Sequence, residues 1–194
     1  RGGTSRAAWR RRKVHPRRRL LTVTAARARR WCLWAVVVKP ASRARCEFFC
    51  GASMMGKTPL MMQRIGPRRR VLVWDMKNQY PGEFGFERVR PGDLMERMKQ
   101  GDGRLSVCSH DPRHFEHVCM LAYWWGRCTM VAEELADVTR PGKAPLSWGV
   151  LLRRGAFRQV EVFAVSQRPT ECDTTIFGSR SYTASFFMPR REDR

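Results

Sequence analysis

Cys46-Glu47-Phe48-Phe49-Cys50-Gly51-Ala52-Ser53-Met54-Met55-Gly56-Lys57-Thr58 is the stretch on which the fold turns. Cys46 to Cys50 form a short, mostly apolar run that reads as a buried strand delivering the chain into a glycine turn. From Gly51 to Thr58 the spacing is that of a phosphate-binding loop. In such a loop the glycines let backbone N–H groups wrap phosphate oxygens, the lysine reaches the β and γ oxygens, and the hydroxyl ligates magnesium. Gly51, Ala52, Ser53, Met54, Met55, Gly56, Lys57 and Thr58 are therefore the expected nucleotide-binding residues, with ATP and Mg2+ as ligands.

The loop has the flanks it needs. Leu60, Met61, Met62 and Ile65 recur at helical spacing from Lys57 to Ile65, Pro59 sits in a first turn that tolerates it, and Gly66-Pro67 is a stop signal. Val71 to Trp74 is a continuous apolar run ending in Asp75, as a buried parallel strand ends, and Pro81-Gly82 opens a loop. Leu94, Met95 and Met98 mark a helix that Gly101 to Gly103 terminates, and Leu105 to Cys108 reads as a strand. Phe115 to Trp125 is helical in period, and Thr129 to Ala132 is a strand closed by Glu133-Glu134. Leu146 to Arg154 is a helix, Val160 to Val165 a strand followed by Ser166-Gln167, and Tyr182 to Met188 a last strand. This alternation predicts an α/β fold with a mainly parallel central sheet and helices on both faces.

Hydrolysis needs one carboxylate to hold magnesium and a second to orient or deprotonate the attacking water. Glu133 and Glu134, at a strand end, suit those roles, with Thr58 and Glu133 as the metal-side pair. Aspartate is usual at the first position, so Glu133 is a departure with a longer reach. The competing reading makes the pair a helix N-terminus that exploits the dipole. Gln167 is positioned to contact the γ-phosphate or the water from the neighbouring strand; otherwise it is a cap.

Other clusters read as structural. His110, His114, His117 and Cys119 match no strong zinc spacing, and Met54, Met55, Met61 and Met62 read as packing. The seven cysteines are odd in number and lack a Cys-x-x-Cys pair, which points to free thiols in a reducing compartment.

The 194 residues carry 38 Lys and Arg against 17 Asp and Glu, a net charge of +21. Fifteen of the basic residues and no acidic ones fall between Arg1 and Arg45, leaving +6 for the rest. Two units follow: a basic arm over 1–42, expected to be disordered, and an ATPase core over 43–194. The arm is open to three readings: a solvated tail, a nucleic-acid-binding segment, or a stretch that is not native, since the chain does not begin with Met. Trp31 to Val38 is far short of the roughly 20 apolar residues of a spanning helix, so no integral membrane segment is expected.

Taken together, Gly51 to Thr58, Val71 to Lys77, Thr129 to Glu134 and Val162 to Pro169 resemble the HerA/FtsK superfamily of DNA-pumping ATPases. Within it the chain is most similar to the small genome-packaging ATPases of tailless, membrane-containing bacterial viruses, over roughly residues 43 to 188. The resemblance implies a RecA-like P-loop NTPase fold, a homo-oligomeric ring, magnesium-dependent ATP hydrolysis and translocation of double-stranded DNA. It implies that Lys57 and Thr58 serve phosphate and magnesium, Glu133 the magnesium side, Glu134 the catalytic base and Gln167 the sensor. Asp75 and Lys77 match its second-strand motif.

Such rings complete the site with an arginine from a neighbour, for which Arg153 or Arg154 is the candidate; the alternative is plain helix-end charge. Viral capsid or membrane-vertex proteins are implied partners, with a location in the host cytoplasm or on the virion. The rival readings are a filamentous-phage assembly ATPase, a cellular HerA-like or conjugative motor, and a nucleic-acid-binding protein whose P-loop is structural.

Overall fold

The computed structural model describes residues 45–186; the arm over 1–42, the run over 31–38 and the end of the chain lie outside them. Seven strands form one sheet: β1 Cys46–Cys50, β2 Arg70–Trp74, β3 Glu87–Arg88, β4 Gly103–Val107, β5 Thr129–Ala132, β6 Glu161–Ser166 and β7 Tyr182–Ser185. Their order is β3-β4-β2-β5-β6-β1-β7, and every neighbouring pair is parallel. The helices are α1 Lys57–Ile65, α2 Tyr80–Phe84, α3 Leu94–Lys99, α4 Pro112–Trp125, α5 Leu135–Val138, α6 Leu146–Arg154 and α7 Thr174–Ser179.

The period of two along each strand sorts the side chains into two layers. Phe48, Leu72, Trp74, Met130 and Val162 pack with Phe115, Trp148 and Ile176 from α4, α6 and α7. Phe49, Val71, Val73, Val131 and Phe163 pack with Met61 and Ile65 of α1 and with Tyr80 and Phe86. Both faces of the sheet are thus covered, which is why its strands are continuous apolar runs. Trp74, Phe115 and Trp148 pack in a row, the first pair edge to face and the second tilted, with ring centroids 5.5 Å apart at each step. Each such buried ring contributes about 2 to 3 kcal/mol through area alone.

Five elements depart from the expectation. Pro81-Gly82, read as a loop, lies inside α2, because the Asp75 carboxylate accepts from the N–H groups of Gln79 (3.1 Å) and Tyr80 (2.9 Å) and so satisfies the helix start. β3 is too short to leave a sequence period. α5 begins directly after Glu134, and α7 is started by Asp173, whose side chain accepts from Ile176 N–H at 3.1 Å. β4 also starts two residues before its expected bound and ends one before it.

Among the described residues no helix is long and apolar enough to cross a membrane. The six described cysteines are free, and all but Cys108 are buried; burial pushes the thiols of Cys46, Cys128 and Cys172 up to about 12.

Candidate active site

All strands being parallel, β1, β5 and β6 end at one edge, and β6 lies between the other two. The loop from Gly51 to Gly56 leaves β1 at that edge, and its first N–H donates to Ser166 O of β6 at 3.2 Å. Gly51 has φ +143°, and a Cβ there would stand 2.6 Å from that of Phe186, so backbone angle and space both demand glycine. Gly56, at φ +86°, turns the chain into α1.

Lys57 is 6% exposed, and its ammonium donates to the carbonyls of Gly51 (2.8 Å) and Ala52 (2.7 Å). Burial lowers its pKa, opposed by the charges of Glu134 and Glu133. Met61 is buried as expected, but Met54 and Met55 are exposed, which corrects their reading as packing. Met54 adopts φ +62° in the loop.

Across the pocket, Thr58 Oγ1 donates to Glu133 Oε1 at 3.4 Å, and Tyr80 Oη donates to the same oxygen at 2.5 Å. Burial raises the Glu133 pKa, and the Tyr80 hydrogen bond pulls the other way. Asp75, 1% exposed, underlies this arrangement: besides starting α2 it accepts from Ser106 Oγ at 3.0 Å, and so fixes the helix that carries Tyr80. Glu133 and the Thr58 hydroxyl offer converging hard oxygen donors, a set that fits magnesium.

Glu134 stands apart from its neighbour in backbone and partners. It adopts φ +49°, ψ +56°, a left-handed conformation that costs a non-glycine residue about 1 to 2 kcal/mol. Its Oε1 accepts from Lys77 Nζ and from Gln167 Nε2, each at 2.6 Å. Lys57, Thr58, Lys77, Glu133, Glu134 and Gln167 thus line one cavity of about 210 Å³. The pair does precede a helix, as the competing reading had it, yet neither side chain caps α5. Both carboxylates turn into the cavity instead.

Arg153 and Arg154 are exposed at the end of α6, where the chain turns back toward the start of β6 at the opposite edge of the sheet. They do not enter the cavity of their own chain. His114 Nδ1 pairs with Ser109 Oγ at 2.8 Å, Cys119 is buried, and among the described residues no cluster suited to a metal ion forms around them. Sequence reasoning missed Tyr80 and Ser106 as supports of the site. The one available signal was Asp75 four and five residues ahead of a helix start.

The Tyr80 contact has a measurable consequence. Tyr80→Phe removes the donor that favours the charged form of Glu133, so the pKa of that carboxylate rises further, and a cation held there would bind more weakly as pH falls. The acid limb of the ATPase pH profile is expected to move to higher pH, with a loss of about ten-fold below neutrality, in line with about 1.5 to 3 kcal/mol for a hydrogen bond to a charged group. An acid limb identical to that of the parent would rule out this role.

No family model matches the chain. Protein P9 of Pseudoalteromonas phage PM2 is 32% identical over an alignment of 136 positions that covers 65% of this chain. The chain spans 61% of that relative's length. In structure the chain is similar to the genome packaging NTPase B204 of Sulfolobus turreted icosahedral virus 2 in complex with AMPPCP, with a TM-score of 0.61, 11% identity and 78% of each chain covered. It is also similar to B204, the DNA-packaging ATPase of Sulfolobus turreted icosahedral virus, with a TM-score of 0.57, 13% identity and coverage of 76% of this chain and 77% of that one. The P-loop NTPase fold expected from the motifs is therefore the fold of the chain, and the likeness to viral proteins of this fold is met by a phage relative and by viral packaging NTPases.

Proposed function

We propose that this chain, with its P-loop NTPase fold and a phage protein as relative, is a viral genome-packaging ATPase that hydrolyses ATP to move double-stranded DNA. The observation that carries the catalytic half is Glu134, held by Lys77 and Gln167 in a strained backbone conformation across the cavity from the phosphate loop. Strain of this kind persists where the surroundings over-determine it, and it gathers at catalytic centres. B204, whose fold this chain shares, is a packaging NTPase, and that supports the DNA half.

In the proposed reaction the backbone N–H groups of Gly51 to Gly56 and the Lys57 ammonium hold the phosphates of the substrate. A water attacks the γ-phosphorus, the bond to the β,γ-bridging oxygen breaks, and Glu134 takes the proton the water gives up. Gln167 orients that water or the γ-phosphate, and Lys77 keeps the Glu134 carboxylate in place. Magnesium, held by Thr58 and by Glu133 directly or through water, would neutralise charge on the β and γ oxygens.

The reading extends to a homo-oligomeric ring in which Arg153 or Arg154 reaches a neighbour's site. It further includes viral capsid or membrane-vertex partners, in the host cytoplasm or on the virion. Steady-state ATPase assays on the full chain with and without long duplex DNA test it. Turnover that rises several-fold with DNA is expected. Turnover indifferent to DNA would overturn the motor assignment, and no turnover at all would overturn the enzyme.

A further inference from the structure

A second cavity lies away from the nucleotide site. It measures about 580 Å³ and lies at the opposite edge of the sheet, where the strands begin. Arg45, Arg68, Arg69, Arg70 and Arg127 line it, together with the carboxylates of Asp102 and Glu161. Arg68 is paired with Glu161 at 2.7 Å and Arg70 with Asp102 at 3.2 Å. Arg45, Arg69 and Arg127 are exposed and have no carboxylate partner among the described residues, so the cavity holds three uncompensated positive charges.

Its construction is specific. Arg70 is anchored on the Trp125 ring, 4.7 Å from its centroid, which fixes the guanidinium at the start of β2. Arg127 takes φ +43°, with its N–H bonded to Arg158 O at 2.8 Å, a left-handed turn that a residue other than glycine rarely adopts. Arg45, Arg127 and Arg70 stand at the starts of β1, β5 and β2, which lie three strand spacings apart in the sheet order, with β6 between β1 and β5. That is a row of about 14 Å at the usual strand spacing. A single small anion cannot touch all of such a row. A linear polyanion can, since about 14 Å covers roughly four rises of a nucleic-acid strand, and the planar forks of arginine match phosphate oxygens.

We infer that this arginine-lined cavity binds consecutive phosphates of the DNA backbone, on the edge of the sheet away from the site of hydrolysis. The inference rests on the DNA-motor reading for its ligand but not for its geometry. In it, DNA and ATP engage opposite ends of the same parallel strands.

The test replaces two of the three cavity arginines that have no carboxylate partner among the described residues. Arg69→Gln together with Arg127→Gln in the full chain removes two charges and, among the described residues, no side-chain hydrogen bond or ion pair. Binding of a 30-base-pair duplex is titrated from about 50 to 200 mM salt for the parent, the double glutamine variant and the matching double lysine variant. The glutamine variant is expected to bind about ten-fold more weakly, with a slope of log K against log salt shallower by about two. The lysine variant is expected to stay near the parent, and basal ATPase without DNA to stay unchanged in all three.

A glutamine variant with the parent's slope and affinity overturns the proposal. Two competition arms, run at matched ionic strength, separate other occupants. Competition for the duplex by inorganic phosphate, in the parent but not in the variant, reassigns the cavity to a free anion. Loss of binding to a poly-glutamate peptide, with duplex binding intact, reassigns it to an acidic polypeptide. Both results overturn a backbone site. Failure of the packaging reading shows differently, as duplex binding through the cavity without stimulation of ATPase.

Discussion

Lys57→Ala is expected to lower ATP turnover by at least about 10³-fold, because it removes the one cation the phosphate loop supplies to the transferring phosphoryl group. The magnitude follows from the loss of a preorganised charge in a site shielded from water, where single donors already account for about 10² to 10³. The ammonium is nearly buried, so its field is little screened. Its lowered pKa gives the change a second signature. A lysine whose folded pKa lies below its unfolded value is charged in the fold at a cost, present at neutral pH and fading as pH rises and the group deprotonates. Deleting it relieves that cost but also removes its bonds to the Gly51 and Ala52 carbonyls, so the unfolding temperature is expected to stay close to the parent value while activity disappears. Steady-state ATPase and thermal melts on the same preparation check both halves. Turnover within ten-fold of the parent would sink the assignment of this loop.

Glu134→Gln separates chemistry from binding. The amide keeps the size of the side chain and one oxygen to accept from Lys77 or Gln167, but it cannot take the proton from water. A loss in kcat of about 10² to 10⁴ is expected, the usual share of a positioned general base, with nucleotide affinity held within a few-fold. A single-turnover experiment with labelled ATP, paired with equilibrium binding, gives both quantities. If binding falls together with kcat, the carboxylate is holding the substrate and the base must be sought elsewhere.

The parts of the site that the sequence disclosed are those in which function and local structure share one contiguous stretch. Gly51 to Thr58 follows a strand and starts a helix, so backbone demand and phosphate chemistry coincide within a few residues. Glu133-Glu134 and Gln167 were legible for a related reason: a buried parallel strand is a continuous apolar run, and the polar residue that ends it marks the edge where ligands bind. Tyr80 was not legible, because its partner is 53 positions away and its helix begins at a Pro-Gly pair that reads as a turn. The helix becomes intelligible only once the Asp75 carboxylate is seen to replace the missing backbone acceptors. The arginine cavity was hidden by the same kind of distance, its lining coming from several separate stretches that only the sheet order brings together. Met54 and Met55 show the converse error, since methionine suggests packing by type while the left-handed turn at Met54 leaves them outside.

The position of β6 bears on how such a molecule can do mechanical work. It is laddered to β1 on one side and to β5 on the other, and Gly51 is tied to Ser166 at its end. The phosphate loop, Gln167 and the Glu133-Glu134 pair thus all follow strands of one hydrogen-bonded plate, and they cannot separate without tearing it. In the proposed motor, displacement on turnover would fall to pieces hung from the rim of that plate, such as the single helical turn of α5, and not to α2, which Asp75 and Glu133 tie down.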